Sequence, residues 1–225
     1  IEATKPGYIL AMICKAKMKK HEQSANAIPQ VLLLENHGVF FAADTIDEID
    51  ELVNNLMIKI NQAIKSEIDF TKTLINNDLY KKTFEKIKTF DANKIIIFEK
   101  NKRIDDILSS EALYQDIKLS FTPDHVVYCK HEPLYTTFED IELNYKAYFD
   151  KNNFPPRIIL VKDIGLFAVG DSEKQAENAK LLFLDQIKIA FYSHFFGGPQ
   201  PMTDDHIHFI LNWEVEHYRI QVQSK

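Results

Sequence analysis

A chain of 225 residues, 45% hydrophobic and 12% aromatic, is long enough for one large domain or two small ones with a proper core. Lys+Arg 27 against Asp+Glu 33 gives a formal net charge of -6, and the basic residues form no stripe that follows a phosphate backbone, so no nucleic-acid partner is expected. No apolar run reaches the roughly 20 residues of a membrane span, and the amino terminus lacks the basic-then-apolar pattern of a signal peptide, which points to a cytoplasmic protein with no membrane partner.

The sequence starts without a Met and falls almost at once into a helix, so it reads as a fragment of something longer. Residues 8–20 are apolar for the first turns and lysine-rich at the end, which suits the negative end of a helix dipole. Residues 31–34 form an apolar run of strand length, Asn36-His37-Gly38 is turn chemistry, and residues 39–43 resume as a second strand. Thr45 followed three residues later by Glu48 is a capping-box pattern, and Ile46, Ile49, Leu52, Val53, Leu56, Ile60, Ala63, Ile64 and Ile68 recur at helical spacing. Residues 76–89 are a lysine-rich helical or loose connector, leading to a strand at residues 94–99, with a soft boundary near Phe90. Cys14 in the first helix and Cys129 in a strand are expected to be reduced, buried thiols.

The second part repeats the first. VLLLENHGVFFAADT, from Val31, aligns without a gap on IILVKDIGLFAVGDS, from Ile158, at an offset of 127 residues. Gly38 meets Gly165, Phe40 meets Phe167, Asp44 meets Asp171 and Thr45 meets Ser172, so the start of the following helix is repeated too. His37 is matched by Ile164, which implies that packing does not demand the imidazole.

Residues 34–39 and 42–45, an apolar strand, an N-H-G turn and small residues before a long helix, resemble the class II aldolase/adducin family. Residues 5–11 and the stretches 197–204 and 212–216 resemble the aldolase half of bifunctional rhamnulose-1-phosphate aldolase/alcohol dehydrogenases. The resemblance implies a zinc ion held by a His-x-His pair and by the histidine of the N-H-G turn, while a glutamate moves the proton. His37 matches that third ligand. Neutral imidazoles leave zinc its charge and open positions, so it can polarise a carbonyl and stabilise an enediolate. In the family the His-x-His pair and the glutamate lie upstream of residue 1.

Other candidates are weaker. His206 and His208 have His-x-His spacing, but Thr203-Asp204-Asp205 reads as a helix start continuing through residues 209–218, and residues two apart on a helix point to nearly opposite sides. Glu214 and His217 read as a surface ion pair, and Pro123-Asp124-His125 as the start of a strand or a turn. No G-x-G-x-x-G, Walker loop or G-x-S-x-G elbow occurs, so the dehydrogenase half of the bifunctional relatives is absent.

The expected fold is therefore α/β, a layered sheet covered by helices with two similar strand-turn-strand-helix units. Residues 1–89 are expected to be the C-terminal part of a first aldolase-like unit and residues 90–225 a second. The resemblance implies a zinc-dependent, homo-oligomeric parent enzyme that cleaves a phosphorylated ketose to dihydroxyacetone phosphate and an aldehyde. The rival is an adducin-like binding or assembly module that keeps the fold without the chemistry.

Overall fold

The computed structural model describes residues 1–213. Its first part consists of α1 (Tyr8–Ala25), β1 (Val31–Leu34), β2 (Gly38–Phe41) and α2 (Ile46–Ala63). The two strands pair antiparallel, Val31 opposite Phe41 and Leu34 opposite Gly38, around a turn in which Asn36 has φ 55° and Gly38 φ 149°. Thr45 caps α2 as its sequence requires: its hydroxyl accepts from the Glu48 N–H, and the Glu48 carboxylate accepts from the Thr45 N–H.

Ten further elements follow: α3 (Asn77–Lys88), β3 (Ile95–Glu99), α4 (Lys102–Leu108), α5 (Glu111–Ile117), α6 (Pro123–Cys129), β4 (Leu134–Thr136), α7 (Ile141–Asn152), β5 (Ile158–Val161), β6 (Gly165–Gly170) and α8 (Glu173–Ser193). A single 3-10 turn at His194–Phe196 leads to α9 (Asp204–Leu211). Strands β3 to β6 make one sheet in the order β3-β6-β5-β4, with β4 and β5 parallel and the other pairs antiparallel. Side chains alternate across it. Ile158, Leu160, Leu166 and Ala168 join a core with residues of α4, α5 and α8, while Ile159, Val161, Phe167 and Val169 join another with residues of α3 and α7. Both faces are covered, which is why β5 reads as an unbroken apolar run. This is the layered α/β architecture expected.

The repeat is present in the backbone. Asp163 (φ 63°) and Gly165 (φ 150°) reproduce Asn36 and Gly38, and Ser172 caps α8 as Thr45 caps α2. It also extends upstream of the aligned stretch. Asn26 ends α1 and Asn153 ends α7, both left-handed. The Ala42 N–H donates to the Gln30 carbonyl as the Val169 N–H donates to that of Arg157, and the Glu35 N–H donates to the Ile1 carbonyl as the Lys162 N–H donates to that of Thr136.

The copies differ in burial. Every residue of β5 and β6 is buried, whereas only Leu34 is buried in β1 and β2. Neither α1 nor α2 buries a residue.

Several local expectations need correction. Residues 123–125 open α6 rather than a strand or turn: Thr122 caps it, and Pro123 sits in the first turn, where a missing N–H costs nothing. Cys129 is therefore helical, and Cys14 is half-buried rather than buried. Helix α1 runs on to Ala25, and α2 stops at Ala63 because Ile64 turns extended. Ile68 packs instead against the α8 side of the sheet. Helix α9 ends at Leu211, so Asn212 and Trp213 do not continue it. Glu214 and His217 lie outside the described residues. Among the described residues no helix is long and apolar enough to cross a membrane.

Candidate functional site

His37 occupies the β1–β2 turn. Its N–H donates to the Leu34 carbonyl at 3.1 Å, as that of Ile164 donates to Val161 at 3.0 Å, so the backbone is the same with either side chain. The Asn36 amide donates to the carbonyls of Phe121 at 3.1 Å and Gln200 at 2.9 Å, which ties the turn to the second part of the chain. His37 then lines a narrow cavity with Lys5, Glu35, Pro123, His206 and Phe209. Lys5 closes one side, 3.0 Å from the Asp205 carboxylate and 5.5 Å from the centre of the Phe209 ring.

Burial holds the His37 imidazole below its ordinary value, and the Asp124 carboxylate opposes the shift without reversing it. The ring is therefore neutral at pH 7, the form that ligates a metal. The rest of a metal site is missing: among the described residues no group of three His, Cys, Asp or Glu side chains is placed to hold an ion. A zinc site needs three protein ligands; the His37 cavity is lined by His37, His206 and Glu35, whose carboxylate accepts from the Ala3 N–H, and the three are not grouped to hold one ion. The residues described do not fit a complete zinc centre.

His206 and His208 part company as the helix rotation requires. His206 faces the His37 cavity, and His208 faces a second cavity with His131, Glu132, Lys151 and Asn152. His125 is buried in α6 with its Nε2 3.6 Å from the Asp185 carboxylate, and the imidazole beside it holds that carboxylate below the usual range. It joins α6 to α8. Burial pushes the Cys129 thiol well up, which leaves it un-ionised and inert.

Sequence reasoning missed the polar groups of the second cavity. The Glu132 carboxylate is nearly buried and is bound by Lys151 at 2.5 Å, with the His131 Nε2 3.7 Å away. The His131 Nδ1 has no hydrogen-bond partner. The run Lys130-His131-Glu132 between two elements was the available signal, since three consecutive titratable residues leading into a buried strand are uncommon.

Compared with known families, residues 76–220 match a profile described as "Aldolase class II, second domain". That span begins at the cap of α3 and covers the four-stranded sheet with all its helices, and it does not include His37. No curated protein shows significant similarity to the chain.

Proposed function

Because the chain belongs to the class II aldolase family, whose second domain matches more than half of it, we propose that it forms part of a lyase cleaving a phosphorylated ketose, of the rhamnulose 1-phosphate type, to dihydroxyacetone phosphate and an aldehyde. The family match is the observation that carries this reading. Class II aldolases are generally metal-dependent, and in this proposal the metal is zinc. His37 is the ligand we assign to it: half-buried, neutral, and set where the second copy has Ile164, so its presence is not a packing requirement. The remaining ligands and the proton-transferring glutamate then come from polypeptide outside the described residues. The division into a first unit ending near residue 89 and a second after it, homo-oligomeric assembly and a cytoplasmic location belong to the same proposal.

The rival is an adducin-like binding or assembly module that keeps the fold without the chemistry. One assay separates the two. The full-length gene product, supplied with zinc, is expected to release dihydroxyacetone phosphate from rhamnulose 1-phosphate, to lose that activity on chelation, and to lose zinc and activity together in His37→Ala. The 225-residue chain alone is expected to be inactive. If the full-length product releases no dihydroxyacetone phosphate from any of a panel of ketose 1-phosphates, the enzymatic reading fails and the module stands.

A further inference from the structure

At the end of α6 opposite the His37 cavity, Lys130 has φ 66° and ψ 171°, a region populated almost solely by glycine and costing a side-chain-bearing residue roughly 1–3 kcal/mol. The Ser120 hydroxyl donates to its carbonyl. The side chain lies partly buried over the Phe154 ring, its Nζ 4.8 Å from the ring centre, and among the described residues no hydrogen bond or ion pair holds that ammonium. It lines a small cavity with Arg157, Lys174, Gln175 and Asn178.

The charges around this cavity do not cancel. Asp171 is the nearby carboxylate, and it is already engaged by Lys94 and by Arg157, at 2.8 Å from the latter. Arg157 also donates to the Val169 carbonyl and the Gln175 side chain, which fixes its guanidinium at the cavity wall. Lys174, Gln175 and Asn178 come from the first two turns of α8, a helix of 21 residues, where the positive end of the dipole adds to the same field. An ammonium drawn out of water without a counter-ion is costly, and a strained backbone persists only where its surroundings over-determine it. Burial, with Arg157 as a like charge, pulls the Lys130 ammonium below its ordinary value, which an anion would reverse.

We propose that this cavity binds a phosphate monoester, with Lys130, Lys174 and Asn178 as direct contacts and Arg157 as the flanking charge. A doubly charged tetrahedral oxyanion matches a cavity lined by three cationic side chains and an amide better than a single carboxylate does. The proposal goes beyond the aldolase reading, because every residue it uses lies in the second unit and none at the His37 turn.

The test is calorimetric titration of the 225-residue chain with inorganic phosphate, with glycerol 3-phosphate and with glycerol, ionic strength being held constant with chloride. Saturable binding of both phosphates and none of glycerol is expected. Lys130→Gly suits the backbone, so it should keep its circular dichroism spectrum and its melting temperature in phosphate-free buffer while its affinity for phosphate falls by about tenfold or more. Lys130→Met, which keeps the aliphatic stem over Phe154, should lose affinity equally and serves if the glycine variant unfolds. Asn178→Ala should weaken binding several-fold. Absence of saturable phosphate binding by the wild type, or binding by the folded Lys130 variants as tight as wild type, overturns the proposal.

Discussion

His37 and Ile164 hold one turn position in two copies of one backbone, and the difference between them is chemical. Ile164 is buried with Leu134, Ile141 and Tyr148, whereas His37 is a half-buried ring whose protonation the fold resists. The sign of its pH effect follows. The unfolded chain takes up the proton near the ordinary value of 6.5, and the folded chain takes it up only at lower pH. Stability is therefore full above about pH 6.5 and is lost as pH falls through the folded value. His37→Ile should leave the urea midpoint at pH 8 nearly unchanged and should flatten its decline between pH 7 and pH 5. A variant with the same acid slope as wild type would show that the imidazole is not desolvated. The residue was legible because N-H-G between two apolar runs is a local pattern. Lys130 was not, because a left-handed lysine is imposed by contacts such as Ser120, ten residues away in sequence, and leaves no mark in residue type.

At the scale of elements the punctuation was legible: Gly38 and Gly165, Thr45 and Ser172 act through backbone geometry and single hydrogen bonds, which sequence encodes directly. Helix α6 was not. It has seven residues, too few for a periodic signal, and its Val126-Val127 pair favours a strand until burial against α8 and α9 overrides propensity. The two glycines allow an internal comparison, since both have φ near +150°. A Cβ on Gly38 meets nothing within 4 Å, while one on Gly165 would lie 2.7 Å from the Phe98 ring and 2.9 Å from the Glu99 carbonyl. Both alanine variants carry the backbone cost, but Gly165→Ala adds overpacking of about 1–3 kcal/mol. Urea denaturation should rank Gly165→Ala well below Gly38→Ala. Equal losses would mean that β3 moves away freely. Loss of the cap in Ser172→Ala should cost about 1 kcal/mol in the same measurement.

For the whole molecule, one supersecondary pattern is set in two environments. Leu33 and Phe40 are each 59% exposed, while their counterparts Leu160 and Phe167 are at 1% and 0%. Full burial of each such side chain is worth roughly 1.5–3 kcal/mol, so the second hairpin is anchored by a driving force that the first largely lacks. Apolar runs and their turn residues identified both hairpins, but they cannot say what covers a hairpin, because that depends on elements distant in the chain. For β5 and β6 the cover is α3 and α7 on one side and α4, α5 and α8 on the other. Strand β6 also pairs with β3 from Leu166 to Gly170, whereas β2 pairs only with β1 among the described strands. Amide exchange reports this difference directly, since a hydrogen bond exchanges through the cheapest opening that exposes it. In the 225-residue chain, amides of β5 and β6 should exchange only through global unfolding. Those of β1 and β2 should exchange through local opening, orders of magnitude faster and with little dependence on added urea. Equal protection of both hairpins in the 225-residue chain would show that the first draws its stability from something other than buried apolar surface.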